Sequence, residues 1–348
     1  MSTSLDTAAR PEDRFVSAFQ VHHGQALNGT TEGIADRRAK AIERFAELGL
    51  PTHKQEAWKY TNIAKELAHP YSLPITADAP SVSADDIAPF RIEGLDAHRL
   101  VLVNGRFDAD LSDIGDLPDG VVVTNLNAAG ESYADRVDAH YGQYADADEE
   151  ALAALNTAFV QDGVFVHVPR GTLLEKPVFV LHVTAADEDL LIQPRNLFVV
   201  EDGAAARIIE VQASLTDVRS FTNAVTEAYV GADGNLDHYL VQNAGNSASQ
   251  VQTTAGYQEH DSVFDTHTTT LSGKVVRNNL TITPDGEHCE SHLFGLNLAR
   301  GSMHVDNHTL VDHTKPDCFS NELYKNILSG EARGVFNGKV FVHKDSQR

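Results

Sequence analysis

Between residues 288 and 318 the chain gathers side chains that could hold a soft metal: His288, Cys289, His292, His304, His308, His313 and Cys318. Imidazole and thiolate are the ligands that iron and iron–sulfur clusters take up. The spacing lacks the Cys-x-x-Cys pair of a structural zinc site. In MHVDNHTLVDH, strand alternation sets Val305, Thr309 and Val311 on one face. His304, Asp306 and His308 then take the other, toward solvent or a partner. Cys289 likewise points away from His288. The reading is no stably bound metal or cofactor, with Cys289, His292 and Cys318 as the candidates should a metal bind. Otherwise the cluster is structural or part of a subunit interface.

Other chemistries find less support. A phosphate-cradling loop needs Gly-x-x-x-x-Gly-Lys-Ser/Thr, so that backbone amides and a lysine surround the phosphates. Gly273-Lys274 and Gly338-Lys339 are each followed by valine and lack the upstream glycine. No nucleophile elbow or His-Glu-x-x-His helix is present, and among 50 acidic residues a nearby carboxylate pair carries little information. No catalytic residue is assigned.

A second conspicuous stretch is PTHKQEAWKYTNI (51–63), which holds the only tryptophan among 348 residues. Trp58 can bury its indole in a small core and find one partner for its N–H, while Glu56 and Lys59 stay wet. The alternative is a docking surface for a partner.

The net charge of −23, from 50 acidic against 27 basic residues, repels phosphate backbones and anionic lipid, which argues against nucleic-acid and membrane partners. Two cysteines make no disulfide framework, and no N-terminal basic-then-apolar segment resembles a secretion signal. Apolar runs such as VFVHV are too short to cross a bilayer. A soluble, cytoplasmic protein is expected.

The elements that position these residues change character along the chain. Residues 12–23 and 31–50 read as helices, the second stopped by Gly49 and Pro51. Residues 70–90, with four prolines, read as an extended connector. HRLVLVNG (98–105) and GVVVTNL (120–126) read as strands. A helix follows with Asp148 as N-cap and Leu152, Leu155 and Phe159 on one face. From Gly163 onward short strands alternate with turns, and no crossover helix intervenes. Strands continuing for about 180 residues, with glycine-marked turns and no hairpin-type Asn-Gly signals, favour a parallel β-helix over a sandwich. The repeat is irregular, and GADGNLD reads as an ordinary acidic turn. Three regions are expected: 1–95, a helical N-terminal domain and connector; 96–162, a mixed α/β segment; 163–348, the β-helix core.

PTHKQEAWKYTNI, taken together with HVDNHTLVDHTKPDCFSNELYKNILSGEARGVFNGKV (304–340), resembles the SufB/SufD family of iron–sulfur cluster assembly proteins, and its SufD members most. The resemblance implies a mainly β fold, a right-handed parallel β-helix preceded by a small helical domain. It implies a non-catalytic scaffold subunit of the SufBCD complex, pairing with a SufB-like subunit through the β-helix and with a SufC-like ABC ATPase. A transient iron–sulfur cluster on the complex and a possible homodimer belong to the same expectation. Family members continue past GVFNGK with further coils and a helical domain. That region carries a Cys-Ser-His-Gly-like word and the ATPase docking surface. This sequence stops at KVFVHKDSQR, where a strand is expected, and is read as a partial SufD, so no cluster-assembly residue is carried over. An open coil end is expected to lower solubility. A polysaccharide lyase or hydrolase, and a purely structural β-helix, are the alternatives.

Overall fold

The computed structural model describes residues 3–4, 11–22, 32–73 and 80–347. From Val164 onward, strands of 3 to 11 residues wind into a β-solenoid of about 6 turns. Each turn contributes to two parallel sheets. In one, Asn235 stands beside Val263, Val263 beside Glu290 and Glu290 beside Phe319, steps of 28, 27 and 29 residues. In the other, Ser249 stands beside Val275, Val275 beside His304 and His304 beside Arg333, steps of 26, 29 and 29 residues. Turn length varies from coil to coil, which is why the repeat is invisible as a fixed period in sequence, while the coils stay in register apart from one shift after Gln242.

The lumen is apolar at one side and polar at the other. Leu236, Phe264, Leu280, Leu293 and Val311 stack in a fully buried column. Beside them Gln242 donates to Asn278 and Asn278 donates to Asn307, at 2.8 and 2.9 Å, bridging the two sheets. Buried amides persist only when paired in this way, and the pairing fixes the vertical register.

The N-terminal helices and Ala151–Phe159 lie against one sheet. Pro11–His22 and Glu32–Leu48 pack Phe15 and Phe45 edge to face at 5.7 Å, and Phe159 closes the group. Gly49 adopts φ +66° and its N–H caps Phe45 O, the expected helix stop. His23 and Thr31 lie outside the described residues. The helix expected from Asp148, Ala151–Phe159, begins later: Glu150 and not Asp148 occupies the N-cap, and every residue of the helix is buried. It is therefore an internal helix clamped between the N-terminal helices and the solenoid, with no wet face. The expected connector is also more structured at its end. Ser83 and Asp86 form a reciprocal capping box that starts the helical turn Ala84–Ile87, and residues 74–79 lie outside the described residues. The final strand closes at Val342, ahead of a helical turn at Lys344–Ser346. No helix among the described residues is long and apolar enough to cross a membrane.

Candidate functional site

The two stretches singled out in the sequence meet. The short turn Glu56–Trp58 carries Trp58 onto the outer face of the Val275–Pro284 strand, where the Arg277 guanidinium sits 4.6 Å from the indole centroid. Trp58 is 5% exposed while Glu56 and Lys59 stay exposed. The core it joins is not the N-terminal region's own. It holds Phe15, Phe45 and Leu67 from that region, and Leu191, Phe221 and Val251 from the solenoid.

Beneath Trp58 lies a buried charged knot. Arg277 and Asp306 are register neighbours on adjacent coils, and Arg277 Nη1 donates to Asp306 Oδ2 at 2.6 Å. Arg277 Nε donates to Asn279 Oδ1 at 2.7 Å, and His308 Nε2 stands 3.1 Å from Asp306 Oδ1. The Thr61 hydroxyl donates to Asp306, which leaves its oxygen to receive His304 Nε2 at 2.8 Å. Burial alone would raise the Asp306 pKa. His308, Arg277 and Thr61 outweigh it and hold the carboxyl at about 2. Burial lowers the His304 pKa, which keeps the imidazole neutral and able to donate.

This corrects the expectation for the 304–308 face. Alternation places His304, Asp306 and His308 together as predicted, but the segment ending at Thr61 covers them, and Asp306 is fully buried. Alternation reports which side of a strand a residue occupies; it cannot report that another element lies over that side.

Two further knots pin the same sheet. Glu66, on the Ile63–Leu67 helix, takes Lys274 Nζ at 2.8 Å, Arg219 Nη2 at 3.1 Å and the Ser249 hydroxyl at 3.2 Å. Glu227 accepts Arg195 Nη2 at 2.7 Å and the backbone N–H groups of Gly142, Tyr144 and Ala145, while Tyr141 lies under Arg195 at 4.6 Å. Arg277, Glu66, Arg219 and Arg195 had no sequence signal of their own. The detectable one was pairwise: Arg277 and Asp306 carry opposite charges one coil apart, a relation that emerges only once the register is known.

The remaining candidates divide into two places. His292 points outward between Asp265 and Glu290, at 3.9 and 3.6 Å, and its ring lies 5.7 Å from that of Phe319. Cys289 and Cys318 instead turn inward at a bend between the sheets. His288 adopts φ +60° in the bend itself, and His313 reaches Ser320 Oγ at 3.0 Å. Among the described residues no group of three His, Cys, Asp or Glu side chains is placed to hold a metal ion. What the arrangement does chemically is clamp the N-terminal region onto the solenoid.

A second surface is defined by exposure. On the outer face of one sheet, Leu296 of the Glu290–Ala299 strand is 37% exposed, and Phe319 and Leu323 of the paired Phe319–Leu328 strand are 55 and 49% exposed.

Residues 9–180 match a family described as the SufBD protein N-terminal region, and residues 182–348 match one described as SUF system FeS cluster assembly, SufBD core domain. An iron–sulfur cluster assembly SufBD family protein of Synechocystis is 29% identical over 333 residues, covering 92% of this chain and 72% of that protein. The iron–sulfur cluster assembly protein SufD of Escherichia coli is 28% identical, covering 93% and 73%. SufD of Bacillus subtilis is 23% identical, covering 96% and 76%.

Proposed function

The chain belongs to the SufB/SufD family and is a SufD-like subunit for iron–sulfur cluster assembly; on that premise we propose that it works as a non-catalytic scaffold whose solenoid pairs with a SufB-like subunit. The observation that carries the pairing is the outer face of one sheet, where Leu296, Phe319 and Leu323 stand exposed on two hydrogen-bonded strands. Scattered surface leucines need no explanation, but a contiguous apolar face is an interaction surface. A homologous parallel β-helix presents the matching geometry, with strands that extend the same ladder or stack face to face upon it. A SufC-like ABC ATPase supplies nucleotide hydrolysis to the assembly, since this sequence carries no phosphate-cradling loop. The cluster is cargo built on the complex and passed on. Work in the cytoplasm fits this role.

The test uses the full chain mixed with a SufB-like subunit. Co-elution that is lost in Leu296→Asp and Leu323→Asp supports the reading. Unchanged binding by both variants would overturn the interface, and ATP turnover by the highly purified chain alone would overturn the non-catalytic assignment.

A further inference from the structure

We propose that Cys289 and Cys318 form a redox dithiol that closes to an intrachain disulfide between successive coils. The inference is independent of the scaffold reading. Four consecutive coils make the same bend, in which a residue in the left-handed region precedes a small residue: Asp233 (φ 55°) with Gly234, Asp261 (57°) with Ser262, His288 (60°) with Cys289, and Asp317 (60°) with Cys318. The bends are in register. Val263 N–H donates to Gly234 O, Glu290 N–H to Ser262 O and Phe319 N–H to Cys289 O, at 2.9, 2.9 and 2.8 Å. Stacked coils stand about 4.8 Å apart, inside the Cα separation a disulfide spans.

Both side chains point to one spot. Cys289 Sγ and Cys318 Sγ lie 3.2 and 3.1 Å from the same carbonyl oxygen, that of Gly286, and the thiols contact each other. The spot is held rigidly, because a Cβ on Gly286 would fall 1.9 Å from His260 N, so the bend is pressed against the coil before it. The two thiols differ in access: Cys289 is buried and Cys318 is half-buried. That asymmetry sets an order of events. The Cys318 thiolate attacks a low-molecular-weight disulfide, displacing one thiolate and leaving a mixed disulfide. Cys289 then gives up its proton, attacks Cys318 Sγ and displaces the second thiolate. Two electrons pass to the small disulfide, which becomes two thiols. Burial holds both thiols above their ordinary range, Cys289 at about 11, with the Asp317 and Glu287 carboxylates adding to the rise at Cys318. The dithiol therefore rests protonated at neutral pH and reacts faster as pH rises.

The experiment exposes the folded full chain to glutathione disulfide and follows intact mass and peptide maps. The expected product has lost two hydrogens, retains no glutathione, yields a joined Cys289–Cys318 peptide and is restored by dithiothreitol. Closure should speed about tenfold from pH 7 to pH 8. Cys289→Ser should instead keep one glutathione, on Cys318. A wild-type chain that holds a stable glutathione adduct, that links to a second chain through Cys318, or that leaves both thiols free after prolonged exposure would overturn the proposal.

Discussion

The guanidinium of Arg277 is held between the face of Trp58 at 4.6 Å and the carboxylate of Asp306 at 2.6 Å. One residue comes from the N-terminal region and two from adjacent coils, so a single contact set couples the helical region to the solenoid. A buried guanidinium is tolerated only when its charge is paired and its donors are satisfied, and here the aromatic face completes what the carboxylate begins.

Trp58→Ala should destabilise the chain by about 3–5 kcal/mol, since it removes a buried ring and uncovers Arg277. Urea denaturation measures it. Because the core is shared, loss of the ring should also increase proteolysis near residue 60 in the otherwise folded chain. A change of only a few tenths of a kcal/mol, with no new cleavage, would contradict the anchoring role.

Asp306→Ala should cost a similar amount, about 3–5 kcal/mol, by leaving Arg277 buried without its counter-charge. Its effect should not add to that of Arg277→Met. The paired replacement should be less harmful than the sum of the singles, because it removes the charge along with its partner. Strict additivity in a double-mutant cycle would show that the pair does not act as a unit.

Acid should loosen the fold through identifiable groups. Asp306 and Glu210 are both held at about 2: burial alone would raise them, and His308 with Arg277 in one case, His182 with His238 in the other, outweigh it. A carboxyl whose folded value lies below its unfolded value stabilises above pH ~4, and that contribution disappears as pH falls toward 2. Asp306 should contribute about 2 kcal/mol and Glu210 about 3 kcal/mol. Denaturation midpoints taken from pH 6 to pH 2 should fall steeply below pH 4, and Asp306→Asn should flatten part of that fall. An identical slope in the variant would remove Asp306 from the account.

Association should depend on salt according to the partner. Two chains each near −23 repel at low ionic strength, so self-association should strengthen as salt is added. A less acidic SufB-like subunit should bind without added salt. Sedimentation at low and at near-molar salt separates these, and self-association that weakens with salt would argue against charge repulsion as the governing term.

Metal analysis of the purified chain should find less than one zinc or iron per molecule, because His292 stands apart from the Cys289–Cys318 bend. One tightly held metal lost together with His292→Ala would show that these side chains converge in solution.

The sequence by itself determined the kinds of element and their order. Helix-period residues such as Phe15 and Phe19, the Gly49 stop, and strand runs closed by turns after Gly163 are local signals, read from neighbours a few positions apart. The words around Trp58 and 304–340 were specific enough to place the family. Only the tertiary structure decided what those words face. Asp306 looked outward because alternation is a property of one strand, whereas its burial comes from a segment 245 residues earlier. Asp148 looked like a cap because burial of the following helix on all sides was not visible. The meeting of Trp58 with Arg277, and of Cys289 with Cys318, rests on coil lengths that vary between 26 and 30 residues. Register in a solenoid is set by how each coil packs on the one below, and no fixed spacing along the chain records it.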